Sequence, residues 1–244
     1  MSFKLEICAN SVQSVINAEI AGADRVELCD NLWEGGTTPS AASVKLAKEK
    51  TSIEVFILVR PRGGDFVYSD IEFEVIKEDI RMAKELGADG IVSGVLLEDG
   101  SVDIKRTKAL VELSKPLPFT FHRAFDLTTD AFQALEDIID CGGQRILTSG
   151  QKNSAIEGKL LLEKLNQQAK GRIIILAGGG INKNNIRDLM TTGGTEFHMS
   201  GKVGRPGFGK PSVIKMNGSV DIPEALIYTS DINQIKAVIE QLDA

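Results

Sequence analysis

Short apolar runs alternate with longer amphipathic stretches along almost the whole chain of 244 residues. The short runs have the length of buried strands, and the longer ones repeat their apolar residues at helical spacing. The predicted strands are Leu5–Cys8, Val26–Cys29, Val55–Arg60, Gly90–Val95, Phe119–Arg123, Arg145–Thr148, Ile173–Ala177 and Phe197–Ser200. The predicted helices are Ser11–Ala21, Ser40–Lys48, Ile71–Leu86, Ile104–Leu113, Asp130–Cys141, Ala155–Gln168, Lys183–Thr192 and Ile232–Leu242.

This order is a strand–helix unit repeated eight times. Eight such units in series predict a closed parallel (β/α)8 TIM barrel, with a doubly wound open sheet as the alternative. No linker divides the chain, so residues 1–244 are predicted to form a single domain. Residues 202–226 are rich in glycine and proline and are predicted to be a long loop after the eighth strand.

Composition narrows the classes of partner. The net charge of −6 argues against binding to nucleic acid, which needs a basic face. Three cysteines are too few for a disulfide framework, and no apolar run is long enough to span a membrane. The N-terminal residues lack the pattern of a signal peptide, so we expect a cytoplasmic protein that does not bind membranes.

The first two strands repeat one polar pattern, in which a glutamate and a cysteine share a face. Because side chains alternate along a strand, Glu6 lies on the side of Cys8, and Glu27 on the side of Cys29. Two thiolates at equivalent positions of neighbouring strands could bind a soft ion such as Cu(I). Two buried carboxylates could perform acid–base chemistry. Buried core cysteines and an ion pair between glutamate and arginine are the structural alternatives.

Other polar side chains follow the carboxyl ends of the strands, where barrel enzymes have their active sites. Both histidines of the chain, His122 and His198, fall there, as does Ser200. Asp126 comes four residues after His122 and is predicted to orient its imidazole ring. A histidine buried in the core for packing alone is the competing interpretation.

Two segments indicate an anion site. RPRGGDF supplies Arg60 and Arg62 after the third strand, and guanidinium groups bind carboxylate or phosphate through paired hydrogen bonds. AGGGI supplies Gly178–Gly180 after the seventh strand, where barrels commonly bind phosphate. The alternatives are a loop held by an ion pair between arginine and Asp65, and a tight turn that uses glycine without any ligand.

Seven motifs in this order resemble the CutC copper homeostasis family: LEIC, ADRVELC, GGTTPS, RPRGGDF, FHRAFD, LTSGQ and AGGGI. The resemblance covers residues 3–201, and residues 202–226 match no motif of the family. It implies a cytoplasmic (β/α)8 barrel that forms a homo-oligomer, a dimer or larger. It also implies that Cu(I) binds Cys8 and Cys29.

Two functional hypotheses follow. The first is a copper homeostasis protein with Cys8 and Cys29 as Cu(I) ligands. The second is a metal-independent barrel enzyme that acts on a small anionic metabolite, and neither hypothesis implies an organic cofactor. The enzyme's acid–base residues would be Glu6, Glu27, His122 and Asp126. Its anion-binding residues would be Arg60, Arg62, Arg123, Gly178, Gly179, Gly180, His198 and Ser200.

Overall fold

The computed structural model describes residues 3–207 and 226–244. Eight parallel strands pair in chain order, and the first also pairs with the eighth, so the sheet closes into a barrel. The barrel strands are β1 Lys4–Ala9, β2 Arg25–Leu28, β3 Glu54–Leu58, β4 Gly90–Ser93, β5 Phe119–Phe121, β6 Arg145–Thr148, β7 Ile174–Gly178 and β8 Glu196–Met199. The predicted (β/α)8 fold is confirmed.

In the part of the chain that the structure describes, eight α-helices alternate with or follow the strands. They are α1 Val12–Ala21, α2 Ala41–Lys50, α3 Asp70–Glu85, α4 Ile104–Ser114, α5 Ala131–Cys141, α6 Lys159–Ala169, α7 Ile186–Met190 and α8 Ile232–Leu242. Local sequence accounts for their ends. Helix α3 begins with a capping box in which Ser69 and Glu72 bond each other's backbone N–H groups. Helix α1 ends at Gly22, whose φ of 90° is the left-handed conformation that glycine adopts without strain.

The segment after the eighth strand differs from its prediction. Lys202–Pro206 forms strand β9, which pairs antiparallel with strand β10, Leu226–Ser230. The prediction of a loop is therefore wrong for residues 202–206 and for residue 226, because both have a strand partner. Residues 208–225 of the predicted loop lie outside the described residues.

Side-chain alternation divides each strand between two cores. Leu5 and Ile7 face outward and join the main core between the barrel and its helices. Inside the barrel, Phe56 packs in a smaller apolar cluster with Cys29. The inward positions of β1 carry polar groups, so the sequence pattern places chemistry within the barrel.

The register of β1 against β2 is staggered by two residues relative to the prediction. The partner of Cys8 is Glu27, and the partner of Glu6 is Arg25. Cys8 and Cys29 therefore do not occupy equivalent positions, since Cys29 lies beyond the end of β2.

Within residues 3–207 and 226–244, no helix combines the length and the apolar character needed to cross a membrane.

Candidate functional site at the barrel mouth

A cavity of about 190 Å³ opens at the carboxyl ends of the barrel strands. Thiol, carboxylate and imidazole groups line this cavity together with arginines and glycines. The lining residues that carry polar groups or lack a side chain are Cys8, Glu27, Gly35, Arg60, His122, Arg123, Gly179, Gly180, His198 and Ser200. Most of the predicted site residues are thus brought to one place.

The two cysteine sulfurs at the mouth are 3.7 Å apart. Cys29 is buried, whereas Cys8 lies at the edge of the cavity. Contact with Cys29 and burial raise the pKa of the Cys8 thiol well above its usual value. Cys141 is remote from this pair, because it ends helix α5 and its thiol contacts the carbonyl of Ile104.

His198 lies between the two glutamates. Its Nδ1 is 2.6 Å from Glu6, and its Nε2 is 3.8 Å from Glu27. Burial alone would lower the pKa of His198, but hydrogen bonds to Cys8 and Glu6 and the charge of Glu27 raise it well above the usual value. The ligand atoms of Cys8, Glu27 and His198 all lie within 4.8 Å of one another.

The two carboxylates have different partners, and their pKa values move in opposite directions. Glu6 accepts a hydrogen bond of 2.5 Å from Arg25 Nε. Burial opposes its ionisation, but the contacts with His198 and Arg25 lower the pKa of Glu6 to about 2. Among the described residues no arginine forms a salt bridge with Glu27, and burial, together with the charge of Glu6, raises the pKa of Glu27 to about 6. Glu6 thus forms the ion pair with arginine that was the structural alternative, whereas Glu27 is a carboxyl that can titrate near neutral pH.

The network continues to the floor of the barrel through Arg25, Glu196 and Arg145, which were not among the predicted site residues. Arg25 Nη2 lies 2.5 Å from Glu196, which also accepts a 2.9 Å hydrogen bond from Arg145. The face that Glu196 shares with His198 was a usable signal for this placement. Arg25 gave none, because only the register places it beside Glu6.

His122 is neutral and is not oriented by Asp126. Its Nδ1 accepts the backbone N–H of Ala124 at 3.2 Å. Burial and the charge of Arg60 lower the pKa of His122 to about 3. Asp126 instead accepts hydrogen bonds from Arg123 and from the loop after β6, including the backbone N–H of Ser149. The predicted link between Asp126 and His122 is therefore wrong, since Asp126 holds the β6 loop.

The two arginines of RPRGGDF have different surroundings. Arg60 is buried at the mouth, and its guanidinium donates to main-chain carbonyls. Arg62 faces the surface, where it pairs with Glu72 at 2.5 Å and Asp65 at 3.1 Å. Arg62 does not line the cavity, so only Arg60 takes its predicted place; the predicted alternative of an ion pair describes Arg62.

The glycine segment contributes two of its three residues to the cavity. Gly179 and Gly180 line it with φ values of 105° and 72°, which favour glycine. Gly178 belongs to β7 opposite His198, and a Cβ there would lie 2.5 Å from Leu147. Its role is close packing inside the barrel.

Comparisons of the sequence with known proteins all lead to one family. The profile of the CutC family matches residues 3–203. The human copper homeostasis protein cutC homolog is 46% identical over 239 residues, covering 97% of this chain and 88% of the human protein. A CutC family protein of Bacteroides fragilis is 45% identical over 245 residues, covering 99% of this chain and 98% of that relative.

Solved structures agree on the fold. The crystal structure of CutC from Streptococcus agalactiae has a TM-score of 0.77 and 35% identity, and the match covers 81% of this chain and 98% of that one. N-(5'-phosphoribosyl)anthranilate isomerase from Pyrococcus furiosus, at 12% identity and a TM-score of 0.58, is similar in fold alone, over 99% of this chain and 98% of that one. This chain therefore belongs to the CutC family of copper homeostasis proteins.

Proposed function

We propose that the barrel mouth binds one Cu(I) ion as cargo, through the thiolates of Cys8 and Cys29 and the imidazole of His198. The observation that carries the proposal is the 3.7 Å separation of the two sulfurs. A single ion that binds two sulfurs at about 2.3 Å each holds them at most about 4.6 Å apart. The two thiols are therefore already close enough to share one ion.

The donor set is chemically suited to copper. Thiolate is a soft ligand that selects Cu(I), and imidazole also binds copper. Glu6 supports His198 from behind, because a carboxylate on one ring nitrogen leaves the other nitrogen free to bind a metal. The raised pKa values of Cys8 and His198 mean that copper must displace protons, so affinity should rise with pH.

The names of the relatives support the same reading, since the human relative is named as a copper homeostasis protein. Cytoplasmic location and assembly into a dimer or larger homo-oligomer are further parts of the proposal. Cell fractionation tests the first, and light scattering of the purified protein tests the second.

Anaerobic titration against a Cu(I) chelator tests the copper site. We expect about one ion per chain, and we expect Cys8→Ser and Cys29→Ser each to abolish binding, because a hydroxyl is a poor ligand for Cu(I). His198→Gln should weaken binding. Cys141→Ser is the matched control, since this thiol is far from the mouth, and it should bind as the parent does. Serine variants that bind copper as tightly as the parent would exclude the site.

A second candidate function is favoured by the ionisation of Glu27. A carboxyl with a pKa of about 6 beside a protonated imidazole offers a proton acceptor and a donor near neutral pH. Such a pair could transfer protons on a small anionic metabolite without any metal. Incubation with a metabolite extract, followed by mass spectrometry, tests this: Glu27→Gln should abolish consumption of the substrate, whereas Cys29→Ser should not.

A further inference from the structure

Arg60 is the feature of the mouth that copper binding leaves unexplained. Its side chain lines the cavity, yet only 4% of the residue is exposed. Its guanidinium donates to the carbonyls of Glu34, Gly36 and Gly64 at 2.6, 2.9 and 2.7 Å. Across residues 3–207 and 226–244, no carboxylate forms a salt bridge with it, and its Nε has no hydrogen-bond partner.

A buried cation without a counter-ion is costly. Carbonyl dipoles satisfy some donors of the guanidinium, but they do not balance its charge. The charge of Arg60 lowers the pKa of the nearby Tyr68 phenol, but burial has the larger effect and raises that pKa to about 12. Tyr68 is therefore neutral and does not balance the charge of Arg60. A negative partner from outside the described residues would therefore balance the charge of Arg60.

His122 supplies a hydrogen-bond donor beside this charge. Because Nδ1 accepts the N–H of Ala124, the proton of the neutral ring must be on Nε2. That N–H is buried and has no partner among the described residues. An oxygen atom of a ligand would satisfy it.

Phe66 brings the two groups together. Its ring lies 4.7 Å from the guanidinium carbon of Arg60 and 4.8 Å from the centroid of the His122 ring. Arg123, Gly179 and Gly180 also line this cavity. Arg123 is itself held in place by its 2.7 Å hydrogen bond to Asp126.

We propose that the mouth binds a small organic oxyanion, a carboxylate or a phosphate monoester, whose charge offsets that of Arg60 and whose oxygen accepts the N–H of His122. The cavity of about 190 Å³ also leaves room for further atoms of a small metabolite between this subsite and Cys8. This inference goes beyond the proposed copper site and uses other residues. It also gives a substrate class to the second candidate function.

Calorimetric titration of the reduced, copper-free protein tests the subsite, with inorganic phosphate and succinate as probes at constant ionic strength. We expect saturable binding of at least one probe. Arg60→Gln should weaken that binding by about tenfold or more, as loss of a charge-assisted hydrogen bond predicts. Arg62→Gln is the matched control, because this neighbouring arginine is paired on the surface, and it should bind as the parent does.

His122→Phe keeps the packing against Phe66 and removes the donor, so it should weaken binding several-fold. If Arg60→Gln does not fold, His122→Phe alone tests whether the anion binds at this subsite. Binding of phosphate alone or of succinate alone identifies the class of anion. Cys8→Ser should retain anion binding, which separates this site from the copper site. The proposal is overturned if neither probe shows saturable binding, or if the Arg60 and His122 variants bind as tightly as the parent.

Discussion

Replacing Arg25 with methionine tests how strongly the charge network at the barrel floor stabilises the fold. Arg25 is 1% exposed, and its guanidinium lies 2.5 Å from both Glu6 and Glu196. The ring of Phe56 packs against it at 4.7 Å. Methionine is a flexible apolar residue that can fill much of this space. The substitution therefore removes the charge, and two buried carboxylates lose a partner.

The expected loss of stability depends on the partners that the two carboxylates keep. Removing one partner of a buried ion pair costs about 3–5 kcal/mol. Here Glu6 keeps His198 at 2.6 Å, and Glu196 keeps Arg145 at 2.9 Å. Because both carboxylates retain a cationic neighbour, we expect the low end of that range, a loss of about 3 kcal/mol in the free energy of unfolding.

Urea unfolding measures this loss, followed both by circular dichroism and by the fluorescence of Trp33, whose transitions should coincide if unfolding is two-state. Arg172→Met is the control, because Arg172 pairs with Glu136 on the surface, where solvent screens the interaction. The double variant Arg25→Met with Glu6→Gln should recover part of the loss by neutralising one stranded carboxylate. If Arg25→Met lowers the urea midpoint no more than Arg172→Met does, the buried charge network does not stabilise the fold.

Three further predictions concern the mouth and the barrel interior. Stability should fall as the pH drops from 6.5 towards 3, because the folded-state pKa of His122 is about 3 and only the unfolded chain binds the extra proton in this window. His122→Phe should flatten this part of the curve of urea midpoint against pH. An unchanged slope would show that His122 is not buried in its neutral form. Gly90→Ala places a Cβ 2.5 Å from the Phe56 ring and should cost about 1–3 kcal/mol in urea unfolding, whereas a neutral result would mean that the ring can move. Glu27→Gln removes a carboxylate 3.8 Å from His198 Nε2, so an NMR titration of the ring protons should show a lower pKa for His198.

The fold could be predicted from the sequence because its signals are local. Apolar runs of strand length and amphipathic runs of helix length depend on neighbouring residues alone, and they recur eight times. Their ends were less predictable. Helix α7, predicted as Lys183–Thr192, is only Ile186–Met190, because the backbone N–H of Asn184 bonds the Asn182 side chain in a turn before the helix.

The sequence also determined which faces carry the chemistry. Alternation along a strand places Glu6 and Cys8 inward whatever the neighbouring strand does. It could not set their neighbours, because the stagger between strands depends on closure of the whole barrel. That stagger put Glu27 opposite Cys8 and Arg25 opposite Glu6.

Only the tertiary structure decided which polar residues meet. His198 reaches Glu6 because β8 closes against β1, a contact between residues 192 positions apart in the chain. Arg60 and Arg62 differ by two positions, yet one is enclosed by loop carbonyls and the other pairs with helix α3 on the surface. Partners of this kind depend on which distant loops and strands pack together, and no local pattern encodes that choice.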